Sequence, residues 1–219
     1  MRASTATIGI TARYLLDRLT QPRIRADEIR SLRLKFSTPL GQPSAEEVRI
    51  AGTLVELRQT LSTCFRNVRV CGGCVRPPTP GWPGGHCCSG RTEQLFTDLE
   101  ISALRLSGTR YWHLRLPRSD QQGCVFRGPK GCSLHPRHRP TLCVRYTCLE
   151  LEAELGQTAQ RHKIRALQKE LRILFEQFAR VRVARRDRER ALQMEREVLA
   201  MCRPGVRQTP TGDPEPCGK

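Results

Sequence analysis

The sequence predicts a mainly α-helical protein with a small irregular α+β core and a long C-terminal amphipathic helix. Three observations predict it. Apolar residues at helical spacing follow Ser44 and again follow Gly156, bracketing the middle of the chain. Nine of the eleven cysteines fall between these series, in residues 64–148. That same stretch holds Pro/Gly-rich segments and one short alternating run, the pattern of turns and isolated strands rather than of a large sheet.

The elements are read in chain order. Residues 1–63 form an N-terminal helical segment without cysteine, its first forty residues ambiguous: a short helix over Tyr14–Leu19, then irregular chain. Ser44 and Glu47 make a capping box, followed by Val48, Ala51, Leu54, Val55, Leu57 and Leu61 at helical spacing. Pro39 and Pro43 bound that helix upstream. Thr97 and Glu100 form a second box, opening a short helix with Leu99, Ala103, Leu104 and Leu106 that Gly108 is placed to end. Alternation over Tyr111–Leu116 predicts a strand with Trp112, Leu114 and Leu116 on one face. Cys124-Val125-Phe126 and Cys132-Ser133-Leu134 flank a turn-rich segment and read as a small hairpin. From 149 to 202 the chain reads as a long amphipathic helix or helical hairpin, with a break expected near Arg185. Ile164, Leu167, Leu171, Leu174, Phe175, Phe178 and Val181 line its apolar face. Residues 203–219, rich in Pro and Gly, are expected to be disordered.

Composition narrows the function. Aromatics make up 5% of the 219 residues, so the core has few large fillers and needs stability from another source. No stretch approaches the roughly 18 apolar residues of a membrane helix, and the N-terminus has no continuous apolar signal region. The expected setting is therefore cytoplasmic, without membrane association, and there thiols stay reduced. Eleven is an odd number of cysteines, and Cys87 and Cys88 are adjacent, which makes metal ligation the better explanation than a disulfide framework.

The later cysteine block is the most specific feature: Cys124-x7-Cys132-Ser-Leu-His-x3-Arg139-Pro140-x2-Cys143-x2-Tyr146-x-Cys148. An earlier block reads Cys71-x2-Cys74, a Pro/Gly-rich spacer, then Cys87-Cys88. Together they resemble the YkgJ-type cysteine-cluster family, a zinc- or iron-chelating domain with a CxxCxxCC signature, over residues 71–148. Twelve residues separate Cys74 from Cys87 where the family has two, and Val144 stands where the family carries Arg. The resemblance implies eight metal ligands: Cys71, Cys74, Cys87, Cys88, Cys124, Cys132, Cys143 and Cys148. Residues 64–148 are thus the metal-binding domain, its irregular core stapled by the metal. Cys64, Cys202 and Cys217 lie outside the pattern and read as packing or idle thiols.

Soft thiolates select zinc, cuprous copper and iron–sulfur clusters. Cys71-x2-Cys74 places two sulfurs on one knuckle, whereas the adjacent Cys87 and Cys88 suit a cluster edge better than one tetrahedral ion. An iron–sulfur cluster, [4Fe–4S] by similarity to the domain of flagellin lysine N-methylase, is favoured over zinc. His86 could replace a cysteine. His135 reads as a packing and hydrogen-bonding residue, His113 and His162 as surface. Arg139-Pro140 fixes the entry to a helical turn, or Arg139 donates to cluster sulfur or a bound anion.

The net charge of +17 is carried by Arg, since only five of the 38 basic residues are Lys. Arg180–Arg190 could contact phosphates, but the intermixed Asp187 and Glu189 favour a solvated face, and no stacking or groove-reading groups are evident. No nucleophile–base pattern, phosphate loop or radical-SAM triplet is present, so the sequence names no catalytic residue. The leading expectation is a metalloprotein serving redox or methyl-transfer chemistry with a protein partner. The alternative is a zinc-stapled structural or binding module whose basic helix contacts nucleic acid or protein.

Overall fold

The computed structural model describes residues 5–64, 92–117, 124–128, 131–156 and 158–201. Within them the chain is mainly helical: α1 (Thr5–Thr20), α2 (Arg23–Ser37), α3 (Ala45–Cys64), α4 (Thr92–Leu95), α5 (Asp98–Leu106), α6 (Thr141–Arg145), α7 (Leu149–Leu155) and α8 (Ala159–Met201). Strand among the described residues is confined to β1 (Arg127–Gly128) and β2 (Gly131–Cys132), antiparallel, with Arg127 opposite Cys132. No described helix is long and apolar enough to cross a membrane. The chain divides into two compact units, residues 1–181 and residues 182–219.

Residues 5–37 are more regular than their sequence suggests. Where a short helix and irregular chain are expected, α1 and α2 form a pair. Their apolar signal is diluted by Arg: in α2 the buried Ala26, Ile29, Leu32 and Phe36 keep helical spacing, with Arg25 and Arg33 buried beside them. Tertiary partners make that burial tolerable. Arg33 pairs with Asp17 at 2.5 Å and donates through Nη2 to the Leu114 carbonyl at 2.9 Å. Tyr14 donates to Asp27 at 2.8 Å.

α3 starts as its capping box dictates. The Glu47 carboxylate accepts from Ser44 N at 2.7 Å, and Ser44 Oγ accepts from Glu47 N at 3.1 Å. Its buried face runs through Ile50, Ala51, Leu54, Arg58 and Leu61, while Val48 is exposed. The second box is half made: Thr97 Oγ1 caps Glu100 N at 3.3 Å, but the Glu100 side chain turns elsewhere. Gly108, at φ +93°, ends the chain reversal after α5 where an L side chain would be strained.

Two apolar clusters meet at α5. Ile101 and Leu104 join Phe36, Phe96 and Phe126, whose rings pack 6.2 and 5.4 Å apart, with Leu114 and Leu134 around them. Ala103 faces the other cluster, built from Ile50, Leu54, Val144, Leu151 and the α8 residues Ile164, Leu171 and Phe178. The three α8 residues recur every seven positions, as the sequence periodicity predicts.

Two elements differ from expectation. Tyr111–Leu116 is not a strand: Tyr111–His113 forms a single 3-10 turn, Leu114 is buried and Trp112 is 55% exposed. Among the described residues the alternation has no strand to pair with, and the Arg110 N–H is satisfied by His113 Nδ1 at 3.0 Å instead. The C-terminal helix breaks at Gly156, not near Arg185. There φ is +52° and α7 gives way to α8, which continues without interruption past Arg185. Residues 182–201 are helical and carry i,i+4 or i,i+3 pairs Arg185–Glu189 and Asp187–Arg190. The tail, 203–219, lies outside the described residues.

Candidate functional site

Of the eight cysteines that the resemblance implies as ligands, Cys71, Cys74, Cys87 and Cys88 lie outside the described residues, with His86, Cys202 and Cys217. Cys124 precedes β1, Cys132 ends β2, Cys143 sits in α6 and Cys148 is the residue before α7. All four, and Cys64 at the end of α3, are thiols rather than disulfides. Cys124, Cys132 and Cys143 pack with the first apolar cluster, Cys64 and Cys148 against the second.

The hairpin positions the first two. Its two-residue arms are extended by Ser133 N donating to Phe126 O at 2.8 Å and by Arg127 N donating to Cys124 O at 2.9 Å. Arg25 Nη2 reaches across from α2 to the Cys124 carbonyl at 3.2 Å. Burial pushes the Cys124 thiol up to about 11; a hydrogen bond from the Phe126 backbone opposes the shift, while nearby Cys132 adds to it. A thiolate at Cys124 therefore needs a cation beside it, which a bound metal would supply.

Cys143 is positioned by a buried polar network that the sequence does not announce. Glu100 Oε1 accepts from Thr141 N, the start of α6, at 2.9 Å. Arg58 Nη2 donates to Thr141 Oγ1 at 2.9 Å and to Glu100 Oε2 at 3.3 Å. Arg58 is fully buried. Burial pulls its pKa down, opposed by the charges of Glu100 and Cys143; burial likewise raises Glu100, opposed chiefly by Arg58. Among the described residues, Arg58 Nε and Nη1 find no hydrogen-bond partner. The one sequence signal for Arg58 is its place in the buried stripe Ala51, Leu54, Leu61.

Arg139 Nε donates to the Leu134 carbonyl at 2.9 Å, and Pro140 is the residue before α6, so the Arg139-Pro140 pair does set the entry to that helix. His135 is a hydrogen-bonding residue as expected, its Nδ1 accepting from Arg137 N at 3.4 Å. His113 is not a bare surface residue: it stacks on His138 with ring centroids 4.2 Å apart. Thr109 Oγ1 and His138 Nδ1 lie 2.9 Å apart. Burial pushes His138 down to about 4, helped by His113, His135 and Arg137. Nδ1 of His113 and of His135 each accept from a backbone N–H, of Arg110 and Arg137 respectively.

Free thiols on separate elements are the kind of donor a thiolate-bound metal uses. The described residues do not complete a site, since no group of three or more His, Cys, Asp or Glu among them is arranged to hold an ion. The described residues on either side of 65–91 both pack into the core. Cys64 packs against the second cluster, and Thr92, buried, accepts from Val125 N at 3.1 Å beside Cys124. No family model, curated protein or solved structure matches the chain.

Proposed function

We propose that this chain is a cysteine-ligated metalloprotein that holds a [4Fe–4S] cluster or zinc through Cys71, Cys74, Cys87, Cys88, Cys124, Cys132, Cys143 and Cys148. It works with a protein partner in redox or methyl-transfer-related chemistry, in the reducing cytoplasm. The YkgJ-type resemblance suggests the ligand set. The observation that carries the reading is that three later-block thiols, on the hairpin and on α6, pack against one apolar cluster at the exit of the segment holding the other four. Bound there, such a centre supplies one-electron storage or a structural crosslink. The chain's own contribution is to present reduced thiols and to fix them with the Arg25, Glu100 and Arg58 hydrogen bonds. The module with a nucleic-acid-binding helix has less support, because Arg185 and Arg190 are answered by Glu189 and Asp187.

Anaerobic purification followed by elemental analysis and an absorbance spectrum tests the proposal. Iron with thiolate-to-iron absorption, or stoichiometric zinc, is the expected result. Cys132→Ser and Cys143→Ser abolish metal retention and Cys217→Ser does not; full retention by the first two removes the later block from the site.

A further inference from the structure

Residues 182–201, the described part of the second unit, carry apolar side chains that α8 leaves in water. Ala184, Asp187, Ala191, Met194, Val198 and Met201 recur at alternating spacings of three and four, so they share one face of the helix. All six are exposed, Met194 to 66%, Val198 to 51% and Met201 to 77%. An apolar seam of that spacing is the contact line of a helix pair. The neighbouring line through Arg185, Arg188, Leu192, Glu195 and Leu199 would bury three charged groups and makes a poorer seam.

The charges beside the seam identify its occupant. Arg188 and Glu195 border one edge, Arg190 and Glu197 the other. When an identical helix lies antiparallel, centred between Leu192 and Gln193, Arg188 meets Glu195 of the second copy and Arg190 meets its Glu197. The two-fold axis makes each pair twice. The same register sets Ala184 against Met201 and Ala191 against Met194, a small residue facing a long one. Asp187 then faces Val198 and keeps its carboxylate beside Arg190, 3.9 Å away on its own helix. A parallel pair would instead set Asp187 against its own copy, a repulsive contact. It would also stack the Arg-rich stretch 182–190 on itself, rather than on the stretch that holds Glu195 and Glu197.

We propose that residues 182–201 are a self-association surface, through which two copies of the chain pair as an antiparallel two-helix coiled coil. The inference does not depend on the metal-binding reading. A seam of about 27 Å is a small interface, so the pair forms and separates with concentration.

Sedimentation of the full-length protein over a concentration series, with a reductant present, tests the proposal. Wild type is expected to pass from the mass of one chain to twice that mass. Glu195→Arg/Glu197→Arg turns every cross-pair repulsive and is expected to raise the dissociation constant about 10- to 100-fold. Arg188→Glu/Arg190→Glu does the same from the other side. An equimolar mixture of the two variants restores all the pairs and is expected to dimerise again. A benzophenone amino acid in place of Asp187 reports orientation, because it crosslinks to the Val198 peptide in an antiparallel pair and to its own peptide in a parallel one. A monomer at every concentration overturns the proposal, as do variants that associate like the wild type or crosslinks at the parallel position. A wild-type monomer that floats with phosphatidylglycerol vesicles assigns the face to a lipid surface and overturns it equally. If a double variant loses helical circular dichroism, the wild-type mass and the crosslink position decide.

Discussion

His138 lies half-buried against His113, with Arg137 and His135 nearby, so a proton on its ring is disfavoured in the folded state. The folded pKa of about 4 lies below the unfolded value near 6.5, so the unfolded chain binds the extra proton between those limits. Stability is therefore whole above pH 6.5 and declines as pH falls towards 4. Solvent screening of the half-exposed ring reduces the effect to about 1 kcal/mol. Urea unfolding at pH 7 and pH 5 is expected to show that difference in the wild type and a smaller one in His138→Phe; equal differences would assign the pH response elsewhere. Asp17 makes a second residue-scale case. Its carboxylate is the charged partner of Arg33, whose side chain is 1% exposed. Asp17→Asn strands that cation and is expected to cost about 3–5 kcal/mol in urea unfolding. Asp17→Leu/Arg33→Met removes both charges and is expected to recover most of the loss.

At the scale of elements, local signals succeeded where the partner group is also local. Ser44 and Glu47 satisfy each other three residues apart, and α3 begins there. Thr97 and Glu100 carry the same signal, but a distant helix start at Thr141 competes for the carboxylate, and only half the box forms. The alternation at Tyr111–Leu116 failed for the same kind of reason, because a strand exists only with a neighbour to pair with. Gly156 shows what breaks a helix here. No described atom lies within 4 Å of where its Cβ would stand, so a substitution there meets backbone strain. Gly156→Ala is expected to lower stability by about 1–3 kcal/mol through φ +52° alone. An unchanged melting midpoint would show that the link between α7 and α8 can relax.

For the molecule as a whole, the first unit concentrates its buried apolar residues in two modest clusters joined by one nine-residue helix, with Phe36, Phe96 and Phe126 as the aromatic row. A structural zinc contributes on the order of 10–16 kcal/mol in small peptides, comparable with or larger than the roughly 5–15 kcal/mol net stability of a domain. If the proposed metal is bound, chelation or acid stripping is expected to unfold residues 64–148. Limited proteolysis and circular dichroism before and after stripping check this, and identical patterns would mean the apolar clusters suffice. The α8 face of Ile164, Leu171 and Phe178 is expected to stay protected only while the second cluster is intact.

The sequence by itself determined the helical class, the α3 and α5 starts and the apolar face of α8, because caps and periodicity act within a few residues. It also carried the resemblance that nominates the eight ligands. Only the tertiary structure decided that α2 is a helix, that Glu100 serves another element's backbone, and that Arg58 lies enclosed with two nitrogens unpartnered among the described residues. Each of those depends on a partner 41 or more residues away, or on burial that only packing creates, and charge read along a chain gives no sign of which arginines will lose their water.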